Sequence, residues 1–311
     1  MTTFDDLELL RAFVGIVESG GISAAARRLK IPQPTLSRYL RTLEAHCGAL
    51  LLQRDTHRMS LTETGHRLLA DAQAILDLAA EAEQRLNADQ STLSGHLRIF
   101  ATIDSGQSYG TRLVTKFLQL NSRVTAELAF TNRPLRLIHE GCDVGIVAGN
   151  LTDENVVAHA AGSIGQYLVA SPALVKSRPG VKGPADVRSW PWIELSGYQF
   201  REPGKITLYD RNRTERSLPI APVLTSEGVT SIREAVLAGL GIALMPDWLI
   251  HTDLVAGRLV RVLPNWRAKD LPMHVVHAAQ RVLPVRVRSF VNFAVDYLTH
   301  FLRSEESKKN S

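Results

Sequence analysis

Only two of the 311 residues are cysteines, Cys47 and Cys142, some 95 positions apart. Neither sits in a Cys-x-x-Cys pair, so a redox motif and a disulfide framework are both excluded, and two reduced thiols are expected. The ten histidines are scattered without a His-Glu-x-x-His pattern, so no zinc site is expected. A glycine-rich phosphate loop is missing, and Gly239-Leu240-Gly241 reads as a helix stop ahead of a strand. No apolar run approaches the roughly 18 residues of a membrane span. The first ten residues, MTTFDDLELL, are acidic where a signal peptide would be basic. The expectation is a cytoplasmic chain with no membrane association, no metal and no cofactor.

What is present is an ordinary globular composition, 45% hydrophobic and 22% charged, in a chain long enough for two or three domains. The net charge of +5 is unevenly placed. Between Ala25 and Arg67 stand eight Lys/Arg against three acids, whereas the remainder holds 28 of each sign. All the excess positive charge thus falls in about forty residues, as a phosphate-facing surface requires; a merely solvated basic face is the plainer alternative.

Hydrophobic spacing divides that region into helices. Leu9, Leu10, Phe13, Val14 and Val17 mark a first helix, stopped by Gly20-Gly21. Ser23 is expected to cap a short second helix through AAARRL. Pro32 and Pro34 then punctuate the start of a third, because proline is tolerated in a first turn whose amides lack intrahelical acceptors. In that helix Leu36, Leu40, Leu43 and Cys47 share one face, while Thr35, Ser37, Arg38 and Arg41 point away from it. Hydroxyls and arginines on a helix fixed by a tight turn suit a major groove. ALLLQRDTHRMSL reads as a hairpin wing whose tip, with His57 and Arg58, would reach a minor groove or a phosphate. Thr62 is placed to cap a long helix bearing Leu68, Ala72, Ile75, Ala79, Ala82 and Leu86 at alternating steps of four and three. Over some 26 residues that is a rod of roughly 39 Å. Its apolar seam either pairs with a second copy of itself or packs on the chain's own winged domain.

The segment FVGIVESGGISAAARRLKIPQPTLSRYLRTLEAHCGALLLQRDTHRMSLTETG closely resembles the winged helix-turn-helix of LysR-type transcriptional regulators. The likeness rests on the alanines, RRL, Gln33, Ser37, Leu43-Glu44, Gly48, Arg54, Arg58, Leu61-Thr62 and Gly65. It implies DNA contact through Arg27, Gln33, Pro34, Thr35, Ser37, Arg38, Arg41, Arg54, His57 and Arg58, and dimerisation along the long helix. Pro32 departs from the family's usual Ser or Asn, so a capping oxygen is missing, and Cys47 stands for a usual Leu.

After the polar stretch NADQSTLSG, strands alternate with helices. Strands are expected at 96–102, 125–131, 143–149, 166–171, 192–196, 221–226, 241–246, 259–263 and 273–278, with helices at 109–120, 134–140, 229–238 and 285–302. The alternation indicates α/β architecture with mostly parallel sheets, and ligands settle at strand carboxyl ends in such sheets. LIHEGCDVGIVAGNL, YLVASPAL, EAVLAGLGIALMPDWLI and GRLVRVLPNW resemble the effector-binding domain of the same family.

The resemblance implies a winged helix-turn-helix at 1–62, a linker and dimerisation helix at 63–92, and an effector domain at 93–303 built like a periplasmic binding protein. Its subdomains would cover about 93–163 with 268–303, and about 164–267; residues 304–311 are expected to be a disordered tail. It further implies a small-molecule effector in a cleft lined by Thr102, Asp104, Ser105, Thr131, Asn132, Val147, Gly149, Ser196, Gly197, Glu227 and Pro246. Partners would be double-stranded DNA, further copies of the chain in a homodimer or homotetramer, and RNA polymerase. Asp104 stands where the family carries a small hydroxyl residue, and Val147 where close relatives carry arginine. Together they favour a neutral or cationic effector, unless Asp104 is a helix cap outside the cleft.

Two other readings exist. GQSYG at 106–110 satisfies the Gly-x-Ser-x-Gly elbow of serine hydrolases, with Ser108 as nucleophile and Asp143, His159, Asp247 and His251 downstream. Ser108 stands about six residues past the strand end, however, and the basic amino end is left unexplained. A ligand-binding protein without DNA contact fits the last two hundred residues but not the first ninety.

Overall fold

The computed structural model describes residues 6–54, 59–86, 93–132, 141–151, 155–178, 180–197, 200–279 and 283–307. Three helices open the chain: α1 (Leu7–Glu18), α2 (Ile22–Leu29) and α3 (Gln33–Cys47). Asp6 caps α1 by accepting from the Glu8 amide at 2.9 Å. Helix α2 begins one residue after Gly21, so the expected cap Ser23 lies inside the helix; its hydroxyl reaches Gln33 on α3 instead. Pro32 is the residue before α3 and supplies no side-chain cap, Pro34 occupies the first turn, and Gly48 ends the helix at φ 64°.

The short strands β1 (Leu52–Arg54) and β2 (Met59–Leu61) pair antiparallel as the wing. Helix α4 (Glu63–Leu86) follows, and Thr62 Oγ1 accepts from the Gly65 amide at 3.0 Å. Leu10, Phe13, Leu36, Leu43, Leu51 and Ala72 are among the residues that close a single core beneath these elements. A Cβ on Gly65 would stand 2.1 Å from the Leu51 carbonyl oxygen, so glycine is what lets α4 cross the wing. No single described helix is long and apolar enough to cross a membrane.

Next come β3 (Ser94–Ala101), α5 (Ile103–Ser105), a π turn (Gly106–Gly110), α6 (Thr111–Leu120), β4 (Arg123–Phe130), β5 (Val144–Ala148) and β6 (Val156–Ile164). The chain then leaves for a second lobe containing β7 (Gln166–Ala170), α7 (Pro172–Lys176), β8 (Trp192–Leu195), β9 (Lys205–Tyr209) and β10 (Glu215–Pro219). That lobe continues through β11 (Pro222–Ser226), α8 (Val229–Leu237), β12 (Ala243–Pro246), α9 (Asp247–Val255) and β13 (Val260–Arg261). It returns with β14 (Leu271–Ala278) and ends in α10 (Val285–Ser307).

The first lobe is a five-stranded sheet ordered β4-β3-β5-β14-β6, with α6 and α10 packed on it. The second joins β12-β7-β13 to β11-β8 through a parallel bridge between Trp192 and Ile242. The sheets are mixed rather than mostly parallel: β14 runs antiparallel to β5 and β6, and β7 runs antiparallel to β12 and β13. The helix expected at 134–140 lies outside the described residues. Helix α10 runs four residues into the expected tail, and 308–311 lie outside the described residues.

Candidate functional site

The cationic face is built by α3 and the end of α2. Leu36, Leu40 and Leu43 are buried, which turns Arg38 and Arg41 outward; Arg27, Gln33 and Pro34 are likewise exposed, and Thr35 and Ser37 are half-buried. Arg28 is tied to Glu18 at 2.7 Å, whereas Arg27, Arg38 and Arg41 form no ion pair among the described residues. Unpaired guanidinium groups on one convex helix face keep their donors for an external acceptor. Of the wing, the backbone of Arg54 lies in β1; its side chain, His57 and Arg58 lie outside the description.

The seam expected for dimerisation divides in two. Leu68 and Ala72 are buried in the chain's own winged-domain core, and Ile75 packs against it, so these three are intramolecular contacts. They face inward because α4 packs over α1 in that core. Beyond them Ala79 is half-buried, and Leu78 on another face is 42% exposed. The side chains of Ala82 and Leu86 lie outside the description.

The two α/β lobes leave between them a space of only about 40 Å³. That is room for a water molecule or so, far below the roughly 300–1,000 Å³ of pockets that hold small ligands. The cleft is closed. Of the expected lining, Thr102, Asp104, Ser105, Asn132 and Pro246 border this space. Thr131, Gly149, Ser196, Gly197 and Glu227 lie back from it. Val147 is buried with Cys142 and Val276 on the other face of its strand, because neighbouring residues of a strand point to opposite sides and Ala148 takes the cleft side.

Across the closed cleft runs a clasp. Helix α8 begins after Gly228, which has no side chain to cap it. Its first amides are completed from the other lobe: Asp104 Oδ2 accepts from Val229 N at 2.8 Å, and Oδ1 accepts from Thr230 N at 3.0 Å and from the Thr230 hydroxyl at 2.6 Å. Asp104 is thus a helix cap and a cleft residue at once. A second link joins the lobes where the Asn132 amide donates to the Glu227 carbonyl. Asn132 is held in turn by the Ile103 amide, which donates to its Oδ1 at 3.1 Å.

Arg201 is the cleft residue that the sequence did not disclose. The turn at Gly197, φ 124°, accepts from the amides of Phe200 and Arg201 and brings both side chains to the cleft wall. Burial lowers the Arg201 pKa to about 10, with nearby Glu194 opposing the fall. Its guanidinium donates to Gln166 Oε1 at 3.4 Å, and it forms no ion pair among the described residues. The charge argument for a neutral or cationic effector rested on Asp104 and Val147. Asp104 is engaged by the α8 amides, Val147 faces away from the cleft, and the cleft wall holds the Arg201 cation with the Glu194 carboxylate near it.

Helix α8 is also anchored in its own lobe. Asp253, fully buried, accepts from Arg233 Nε at 2.6 Å and from Arg258 Nε at 2.8 Å. Burial opposes ionisation of Asp253, but the guanidinium bonds outweigh it and hold the pKa below the ordinary carboxylate value. Ser108 sits inside the π turn rather than at a strand-to-helix elbow, and its hydroxyl accepts from Arg112 at 3.3 Å.

A winged helix-turn-helix with an unpaired cationic face, joined to two α/β lobes that close on a cleft, is the build of a ligand-responsive DNA-binding regulator. Residues 7–66 match the bacterial regulatory helix-turn-helix protein of the lysR family, and residues 90–299 match the LysR substrate binding domain. The chain belongs to the LysR family of transcriptional regulators. It is 29% identical over 293 residues to the transcriptional regulator PtxR of Pseudomonas aeruginosa, covering 94% of this chain and 93% of that one. CrgA of Neisseria meningitidis is 29% identical over 296 residues, with 94% and 96% covered. Among solved structures, the full-length virulence activator AphB of Vibrio cholerae superposes with a TM-score of 0.59 at 25% identity, covering 94% of this chain and 99% of that one.

Proposed function

We propose that this regulator reads an operator through α3 of paired winged domains and that its effector is a small anion admitted by release of the Asp104 clasp. The winged unit spans 1–62, the pairing helix 63–92 and the effector domain 93–303, with lobes at about 93–163 plus 268–303 and about 164–267. Arg38 and Arg41, with Gln33, Pro34, Thr35 and Ser37, enter a major groove. Arg27 and the wing residues Arg54, His57 and Arg58 take the flanking backbone. Pairing uses the distal half of α4, where Leu78 is exposed. The assembly is a homodimer or homotetramer in the cytoplasm, works on RNA polymerase at the promoter, and needs no cofactor beyond the effector.

The observation that carries the effector reading is the Asp104 carboxylate on the α8 amides, with the Arg201 guanidinium at the cleft wall in no ion pair among the described residues. An incoming anion offers the α8 amides the same acceptor chemistry and gives Arg201 a counter-charge. Replacing an internal acceptor by an external one changes how the lobes are tied, and with it the spacing of the DNA heads.

The test is selection of bound genomic fragments with the purified protein, followed by calorimetric titration of anionic and cationic metabolites suggested by the genes adjoining them. Sequence-specific fragments are expected, together with an anion whose binding is lost in Arg201→Ala. A cation that binds tightly to wild type and equally to Arg201→Ala refutes the effector assignment, and no enrichment over random competitor refutes the DNA assignment.

A further inference from the structure

The second lobe carries a larger concavity, about 880 Å³, whose lining shares no residue with the cleft. Its walls come from the turn between β9 and β10, from the segment 264–270, and from Tyr167 on β7. The floor is fixed by the backbone: Tyr209 N donates to the Arg267 carbonyl at 2.8 Å, and Arg267 N returns a bond of 3.0 Å. The space falls within the range of pockets that hold small ligands.

Four cations ring it, Arg211, Arg213, Arg267 and Lys269, all exposed and none in an ion pair among the described residues. Two carboxylates share the rim. Asp210 is spent on its own turn, accepting from Thr214 N at 2.7 Å and Asn212 N at 2.8 Å, and Asp270 is engaged as well. Four cations against two carboxylates leave the opening net positive. Like charges converging on one hollow repel one another, a cost that a multivalent anion removes.

The rings supply the second half of the chemistry. Trp266 and Tyr209 are half-buried in the same wall and offer a planar group a surface to stack on. Beside them the Arg261 guanidinium stands 3.8 Å from the centre of the Tyr167 ring, so this wall already holds one flat cation by stacking. Guanidinium forks for phosphate oxygens next to an aromatic face match a ligand that carries phosphates and a planar base.

We propose that this concavity is a second ligand site, separate from the effector cleft, and that it takes a nucleotide: phosphates on Arg211, Arg213, Arg267 and Lys269, base against Trp266 and Tyr209. The site lies one residue from the cleft wall, since Tyr167 borders the concavity and Gln166 borders the cleft. Gln166 also donates to the Lys269 carbonyl at 2.9 Å, so the two cavities share a strand and a hydrogen bond.

The test uses the full-length protein with ATP, inorganic pyrophosphate and adenosine as separate probes, followed by calorimetry. Saturable ATP binding is expected, with pyrophosphate and adenosine each at least about tenfold weaker. Arg211→Ala and Arg267→Ala should each weaken ATP by about fivefold or more, and Trp266→Leu should bring ATP down to the affinity of pyrophosphate. Unchanged thermal unfolding of the exposed arginine variants secures that comparison. The proposal is overturned if ATP does not bind below about 5 mM, if both arginine variants bind as wild type, or if pyrophosphate binds as tightly as ATP. None of these outcomes depends on whether the effector cleft takes an anion.

Discussion

Asp104 and Val229 stand 125 residues apart in sequence and 2.8 Å apart in space, one in each lobe, with the carboxylate of the first completing the amide of the second. Removing that acceptor leaves the first turn of α8 with no replacement, since Gly228 has no side chain. Asp104→Ala should lower the stability of the effector domain by about 1–2 kcal/mol in thermal unfolding, the usual loss for a deleted cap. It should also open the cleft and raise the protein's radius in small-angle scattering. A wild-type scattering profile for the variant would count against the clasp.

Arg38→Ala should cost about 1–3 kcal/mol of operator affinity and relax discrimination at one base position, as expected for a base-reading arginine. Arg27→Ala should instead weaken all sequences alike and reduce the salt slope by about one. Fluorescence anisotropy with operator and scrambled duplexes at several salt concentrations separates the two behaviours.

Asp253→Ala removes the shared acceptor of two guanidinium groups, of which Arg258 is half exposed and Arg233 keeps Glu234, and should cost about 1–3 kcal/mol. The pH dependence has a definite sign. Because the folded-state pKa of Asp253 is depressed, its contribution is fully present above the ordinary carboxylate pKa and is lost as pH falls through the lower folded value. Acid unfolding monitored by circular dichroism should therefore show a shallower stability loss for Asp253→Ala than for wild type over that acidic window.

Gly65→Ala would place a methyl group against the Leu51 carbonyl oxygen, which a side-chain shift cannot relieve. Destabilisation of about 1–3 kcal/mol or more is expected in the winged domain, with loss of operator binding at temperatures where the effector domain stays folded. Limited proteolysis distinguishes the two domains.

Leu78→Glu places charge on the exposed side of α4 and should convert the assembly to smaller species in analytical ultracentrifugation. The same change should leave unfolding of the winged core within about 0.5 kcal/mol of wild type, as for an exposed surface position.

Local rules made most of the fold readable. Pro32-Gln33-Pro34 marks the start of α3, Thr62 caps α4, and the apolar run Val144–Ala148 is a strand buried on both faces. Sheet direction was not readable in the same way, because nothing in residues 271–278 records from which side the chain re-enters the first sheet. The hairpin β9–β10 also escaped: Lys205–Tyr209 alternates, but its partner Glu215–Pro219 buries only Leu218 and offers no such pattern. In the cleft, residues at strand ends such as Thr102 and Pro246 follow from topology. Val147 was placed there from a strand whose one-residue alternation puts Ala148 at the cleft instead. Arg201 was hidden because a loop, not a repeating element, carries it, and only the Gly197 turn brings it inward. The inward side of Leu68 and Ala72 was similarly ambiguous, as one apolar stripe serves a neighbour in the same chain or a second copy equally well.

Gly228 deprives α8 of any means to finish its own amino end, so the helix must borrow an acceptor from outside its lobe. Whatever occupies position 104 therefore sets how readily the jaws part, and relatives of this protein could be retuned from shut-by-default to open-by-default by a single exchange there. The sensory threshold would drift without a change to the reading head, and a new stimulus could be acquired before any new gene is targeted.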